Sequence, residues 1–420
     1  MNMESMKKSM NNQYDLIIIG GGAAGMFSAA IAAKRLKRVL LVEKNQRPGR
    51  KLRITGKGRC NVTANVDVET VVKNIPTGGR FLYSALSRFS PSDTMAWFEG
   101  QGLPLKTERG DRVFPMSDDA EDVVDVLDKA VKAAGVIRKT GTVTGILSEN
   151  GRVCGVKVGE EICYSSKVIL ATGGMSYPAT GSTGDGYEMA KSLGHTVTGL
   201  SGSLVPLEIA GGECRKMAGL SLRNISLKMY GKKKKPVYTD FGEALFMNYG
   251  LSGPVILSAS AHMKEKDGPY SLMIDLKPAL DEKKLDLRLL RDFEERKNEN
   301  LYDGLRGVLP AQMIPVILER CDLSSKTFVR DVTREQRRAI LETIKGLRFD
   351  VVGKRPVEEA IITHGGVKLS EVDPGTMESK LVKGLYFAGE ILDCDAYTGG
   401  YNLQIAWSTA FAAATSCGNS

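Results

Sequence analysis

The stretch Asp15-Leu16-Ile17-Ile18-Ile19-Gly20-Gly21-Gly22-Ala23-Ala24-Gly25 limits what this chain can fold into more than any other. Apolar residues run straight into glycines, as in a buried parallel strand that stops at a tight turn. Gly20, Gly22 and Gly25 hold the G-x-G-x-x-G spacing. The first glycine permits the turn, the second lets a pyrophosphate approach the backbone, and the third lets helix and strand pack closely. Met26 to Lys34 is Ala-rich and lacks Pro, so a helix opens there with its amides and dipole toward the pyrophosphate. Val39-Leu40-Leu41-Val42 reads as a second buried strand, closed by Glu43. Glu43 stands about twenty residues past the glycines, where an acidic group accepts from ribose hydroxyls. This order predicts a Rossmann-like α/β domain that holds a dinucleotide.

Gly49 to Thr63 sets five cations among three glycines with almost no apolar periodicity. It reads as a basic loop that an anionic diphosphate would order, through charge-assisted hydrogen bonds and exposed amides. Phe81 to Gly102 has helical spacing, with Trp97 and Phe98 assigned to the core. Asp118 to Ala134 is a cleaner helix, with Asp118 as its cap. Thr142–Leu147 and Val153–Val158 form a hairpin about Asn150-Gly151, and Val168 to Gly174 is a further buried strand ending in glycines. From about Gly194 the texture changes, with short β-like pieces first and then charged, helical sequence. Residues 195–361 are therefore assigned to an inserted unit, β-rich over about 195–276 and helical over about 277–348. Rossmann character returns at Gly384 to Glu390, and Gly399-Gly400-Tyr401-Asn402-Leu403 opens an Ala-rich helix to Thr415. Such a helix start presents positive potential and would suit the negative N1–C2 edge of a reduced flavin.

Bulk properties narrow the class. At 420 residues, 42% apolar and 25% charged, the chain is ordinary globular protein of more than one core. The formal charge of +9 suits anionic small ligands as well as nucleic acid, and no basic stripe with interleaved aromatics is visible. Lys232 to Lys235 reads as a solvated hairpin tip. The seven cysteines form no C-x-x-C, and the three histidines are scattered, so a disulfide framework, a dithiol reductase and a metal site are not expected. Residues 1–13 read as a disordered tail, not a signal peptide, and no membrane span is expected. These features point to a reduced, cytoplasmic setting.

The first glycine motif, Lys51 to Asn61 with its T-G-K-G-R-C-N core, Ala171-Thr172-Gly173-Gly174, and Gly384 to Gln404 together resemble one known group. The chain is similar, over essentially everything beyond the tail, to the BaiN-like, or HI-type, NAD(P)/FAD-dependent oxidoreductase flavoproteins of the glutathione-reductase-like superfamily. The resemblance implies a discontinuous, two-part FAD-binding domain over 14–194 and 362–420, closed over by the insert, with FAD bound non-covalently. It implies that Gly20, Gly22, Ala23, Ala24 and Gly25 hold the pyrophosphate and that Glu43, next to Lys44, binds the adenosine ribose. Lys51, Arg59, Cys60 and Asn61 would line the cofactor, and Val143 would meet its adenine side. Ala171, Thr172 and Gly173 would pass under the dinucleotide. Gly389 and Glu390 would lie near the ribityl chain, and Gly400, Tyr401, Asn402 and Leu403 would meet the isoalloxazine.

No second strand–G-x-G-x-x-G–helix unit occurs. Thr180 to Gly186 is glycine-rich, but Tyr177-Pro178 precedes it, so it reads as a helix start near the flavin. NAD(P)H would then act as electron donor without a dedicated domain. Cys60 and Cys394 are either redox groups or packing residues, with packing preferred. His364 is either an acid–base group or a residue that packs the insert back, the latter preferred. Tyr177, Tyr397 and Asp395 are candidate substrate contacts.

The expected function is hydride transfer between FAD and a small organic substrate. Members of the resembled group are linked to steroid (bile acid) reduction and to amine oxidation, so the substrate stays open. A flavin-based redox sensor without turnover and a flavin-dependent RNA-modifying enzyme are the alternatives; a nucleic-acid or membrane partner is not favoured.

Overall fold

The computed structural model describes residues 12–418. Most of the expected tail, residues 1–11, lies outside the described residues; Asn12 and Gln13 already run beside Tyr164, whose amide donates to the Asn12 carbonyl at 2.8 Å.

The chain divides into two compact units, one of residues up to Ser203 together with Val357–Ser420, the other Leu204–Pro356. In the first, β1 (Leu16–Ile19) leads to α1 (Ala23–Ala32), β2 (Val39–Glu43) and the short α2 (Arg50–Ile54). After α3 (Ala120–Ala133) come β3 (Ile137–Thr140), β4 (Val168–Leu170) and β5 (Ser201–Ser203). Following the second unit, the chain returns as β6 (Ile362–His364), β7 (Leu385–Phe387) and α4 (Tyr401–Cys417).

The central sheet is parallel, in the order β7–β4–β1–β2–β3. Ile17 stands between Val168 and Leu40. Every residue of β1 is buried, and each such side chain contributes about 1.5–3 kcal/mol. The central position explains the uninterrupted apolar run, since a strand covered on both faces has no polar side. The order reverses direction beside β1, where α/β sheets open a crevice at their carboxyl ends.

The end of the chain is locked to its beginning. Trp407 on α4 meets Phe27 of α1 and Phe98 at ring distances of 5.5 and 5.4 Å, and its Nε1 donates to the Val62 carbonyl at 2.9 Å. Gln404 is wholly buried, yet its amide is satisfied: Oε1 accepts from Thr63 and Thr94, and Nε2 donates to Phe89 O and Ser408 Oγ. An unsatisfied amide there would cost about 1–3 kcal/mol, so this network sets where α4 begins.

Two local expectations change. Gly49 to Gly58 is not a loop: α2 is followed by a 3-10 turn over Thr55–Gly58. The cap of α3 is Asp119, whose carboxylate accepts from Glu121 N; Asp118 is instead held by Arg59 and Lys106.

In the second unit, among the described residues, six antiparallel strands close a barrel. Around it run Leu207–Ile209, Gly250–Ser252, Tyr238–Met247, Ser221–Tyr230, Tyr270–Asp275 and Leu347–Lys354. Helices Glu282–Glu295, Ile314–Arg320 and Arg334–Lys345 share its apolar core. Lys232 to Lys235 does lie at a hairpin tip, between two of these strands. No helix among the described residues is long and apolar enough to cross a membrane.

Candidate functional site

A cavity with about 1330 Å³ of empty space, counted to its mouth, opens at the carboxyl ends of β1, β2 and β4. Gly20, at φ +103°, makes the turn: a Cβ there would sit 2.5 Å from Ala171 O. At Gly25 a Cβ would fall 1.7 Å from Gly20 O, so α1 crosses the strand end at a distance only glycine allows. Gly22 differs, because nothing lies within 4 Å of where its Cβ would be. It begins α1 with no capping side chain and no acidic residue in the first turn. The helix therefore opens its amides and positive pole to the empty space.

Glu43 braces this loop. Its Oε2 accepts from Gly21 N at 2.6 Å, and its Oε1 accepts from Asn45 N and Nδ2 at 2.8 and 2.7 Å. A carboxylate offers about four acceptor sites, so capacity for hydroxyl donors remains. Lys44 turns aside to Asp185 and Thr183, each at 2.8 Å.

Across the cavity, Lys51 Nζ is 2.7 Å from both Glu390 Oε2 and Ser176 Oγ. Glu390 Oε1 accepts from Thr363 N at 2.9 Å and Ser176 Oγ at 3.2 Å. Asn402 and Leu403 enter from the first turn of α4. That helix also lacks a capping side chain, and Gly400 before it has φ +97°. A side chain at Gly400 would strike the Thr63 backbone at 2.4 Å. The Asn402 amide is spent on the loop before it, accepting from Ala396 N and donating to Ala396 O and Tyr397 O.

Gly20, Gly22, Ala23, Ala24, Glu43, Lys44, Lys51 and Val143 line this cavity, as do Ala171, Thr172, Gly173, Gly389, Glu390, Asn402 and Leu403. Gly25, Arg59, Cys60, Asn61, Gly400 and Tyr401 do not. Gly25 and Gly400 serve close packing, as above. Arg59 is drawn off by Glu108 and Asp118 and lies over the Phe114 ring, 4.1 Å from its centroid. These two carboxylates raise the guanidinium's proton affinity, while it holds both of them below the usual carboxylate range. The Tyr401 ring lies against Gly399, 3.0 Å from where a Cβ would stand. Asn61 carries a buried Oδ1 with no partner.

Cys60 is fully buried, and burial pushes its thiol up to about 12. Cys394 lines the cavity but is 2% exposed, and burial raises it well above the ordinary value. Neither presents a thiolate, which favours packing over redox chemistry. Tyr177 precedes a 3-10 turn over Pro178–Thr180, and Gly184 then starts the helix Asp185–Ser192.

Asn45, Thr180, Ser182 and Asp185 also line the cavity, with no motif to announce them. Their signal is position alone: each sits one or two residues from a glycine or an acid that the fingerprint did single out.

The cradle fits a dinucleotide. Thr172 Oγ1 is buried on the cavity wall with no hydrogen-bond partner. Such orphans are costly unless a ligand completes them. The open space at Gly22, the two uncapped helix starts and the Glu43 carboxylate supply matching groups for phosphates and ribose.

Residues 14–416 match the family model described as HI0933-like protein Rossmann domain. The chain is 29% identical, over 94% of its length and 97% of the relative's, to the 3-dehydro-bile acid delta(4,6)-reductase of Clostridium scindens. It is 32% identical to the ribosomal RNA dihydrouridine synthase of Escherichia coli, covering 96% of this chain and 97% of that one. Among solved structures, 3-ketosteroid delta1-dehydrogenase from Sterolibacterium denitrificans shares the fold at a TM-score of 0.53 and 14% identity, over 97% of this chain and 99% of that chain.

Proposed function

The chain belongs to the HI0933-like family, and we propose that it is an FAD-dependent oxidoreductase that saturates a carbon–carbon double bond conjugated to a carbonyl. One observation carries the cofactor assignment. Two uncapped helix starts, an orphaned Thr172 hydroxyl and the Glu43 carboxylate converge on one cavity built from both ends of the chain. When bound there, FAD supplies a two-electron hydride donor and acceptor. The protein's part is placement. The start of α1 faces the phosphates across Gly22, and Glu43 accepts from ribose hydroxyls. Lys51 and Glu390 hold the middle of the cavity through their ion pair. The start of α4 turns positive potential toward a developing negative charge.

The bond class comes from the relatives. A delta(4,6)-reductase of a 3-dehydro-bile acid and a dihydrouridine synthase both, by name, saturate a double bond conjugated to a carbonyl. A small organic enone is the leading substrate, with NAD(P)H as electron donor. A uracil ring in RNA is the second reading, favoured by the Escherichia coli relative and by the net charge of +9.

The test is anaerobic. Purified holoprotein is reduced with NADH or NADPH and mixed with a steroid dienone, uridine or ribosomal RNA. Reoxidation of the flavin with a saturated product supports the proposal, and the substrate that works decides between the readings. RNA-driven reoxidation that falls steeply with salt selects the second. Flavin that stays reduced with all of them overturns the proposal.

A further inference from the structure

On the β5–β6 ladder Ser203 faces Ile362 and Ser201 faces His364. Directly opposed residues share one face, so these four side chains point the same way and Thr363 points the other. Thr363 turns to the amides of Met175 and Ser176. Ile362, on the His364 face, lines the cavity. Asp395 sits on that same face and is 1% exposed. Its Oδ2 accepts from Ser203 Oγ at 2.6 Å, and its Oδ1 lies 3.0 Å from His364 Nδ1. The loop that carries Asp395 is held at the cavity wall: Cys394 lines the cavity, and the Asn402 amide grips Ala396 on both sides.

His364 itself is not sealed in, with its side chain 42% exposed. His195 is the contrast. Its ring nitrogens are taken up by Glu371 at 3.1 Å and Ser379 at 2.8 Å in a buried setting, which suits a structural role.

We propose that His364 is the proton donor of the reduction, and that Asp395, held by Ser203, is its positioning residue. The inference rests on the reading of this site as one that saturates a conjugated double bond. A buried carboxylate on Nδ1 fixes the ring's orientation and tautomer and stabilises the imidazolium. That leaves Nε2–H as the acidic bond directed away from the carboxylate. Saturation adds one hydride and one proton. The hydride and its electron pair come from the reduced cofactor, itself reduced by a nicotinamide dinucleotide, and bond to the carbon β to the carbonyl. The proton comes from His364: its Nε2–H bond breaks, a C–H bond forms at the α carbon, and neutral imidazole remains to be reprotonated from water. Asp393 is the other acid whose charge reaches this ring; burial raises its own carboxyl, with His364 opposing that shift and Asp395 adding to it.

The test uses holoenzyme reduced with dithionite and mixed with the enone that the wild type accepts. His364→Gln is expected to keep wild-type flavin content while reoxidation slows by about 10²–10⁴-fold, with partial rescue by added imidazole. A second readout needs no turnover. With three histidines in the chain, ¹⁵N-histidine labelling gives three ring systems, and His364→Gln identifies the relevant one. At alkaline pH the wild-type ring is expected to carry its proton on Nδ1, and Asp395→Asn to shift it toward Nε2. An unchanged tautomer in Asp395→Asn overturns the positioning role. Wild-type reoxidation in His364→Gln overturns the proton donor while leaving the enone reading intact. A wild type inert toward every enone removes that reading and the inference together.

Discussion

Lys51 Nζ stands 2.7 Å from Glu390 Oε2, joining residues 339 positions apart across the wall of one cavity. Their side chains are 25% and 16% exposed, so water screens the pair only in part. Lys51→Met leaves a half-buried carboxylate without its cation and is expected to cost about 1–3 kcal/mol, read by urea titration. Lys51→Met with Glu390→Gln should recover part of that loss, whereas strictly additive losses would show that the two groups are not coupled.

Gly22 and Gly25 are both part of the fingerprint but answer to different partners. No protein atom meets a Cβ at Gly22, so Gly22→Ala should leave stability within about 0.5 kcal/mol. Its flavin affinity should fall at least about tenfold, because the methyl occupies the phosphate's approach. Gly25→Ala forces a methyl into Gly20 O and should destabilise by about 3 kcal/mol or more. Thermal melts of the flavin-free proteins, with flavin titrations alongside, separate the two outcomes.

Glu43 holds the Gly21 amide and Asn45 at the same time as it faces the cavity. Glu43→Gln brings a donor to amides that need an acceptor, and flavin affinity should fall by about 10–100-fold, or about 1.4–2.7 kcal/mol. Glu43→Arg should purify largely colourless. The ratio of flavin to protein absorbance reports both, and a normal ratio in Glu43→Arg would remove the ribose role.

Alkali should unfold this protein before acid chemistry explains it. Burial raises the thiols of Cys60, Cys214 and Cys417 from the ordinary 9.0 to about 12. The unfolded chain loses these protons first, so stability that is full below pH 9 is lost as pH rises toward 12. Urea midpoints should fall across that window, and Cys60→Ala should fall less steeply than the wild type. Parallel curves would mean that the Cys60 thiol ionises freely in the folded state.

The parts legible in the sequence were the local ones. Leu16 to Gly25 announces strand, turn and helix because each choice is made by neighbours in the chain. Arg59 misled for the opposite reason: Glu108 and Asp118, its partners, lie 49 and 59 residues away. A cation in a glycine-rich segment looks the same whether a phosphate or a remote carboxylate awaits it. The strand Leu347–Lys354 went unread although Leu347 and Phe349 alternate with outward Arg348 and Asp350. It follows directly on a charged helix, and its role in closing the barrel depends on strands far earlier in the chain. The His364–Asp395–Ser203 arrangement was legible only as separate residues, since the β5–β6 register that unites them spans the whole second unit.

That the cavity draws its last wall from Asn402 and Leu403 also fixes a moment in biosynthesis. A polypeptide still being translated through the barrel has made the glycine turn but holds no complete nest for a nucleotide. Flavin capture is therefore a late event, open only after the ribosome has passed the start of α4, and a nonsense codon anywhere upstream yields an apoprotein whatever the vitamin supply of the cell.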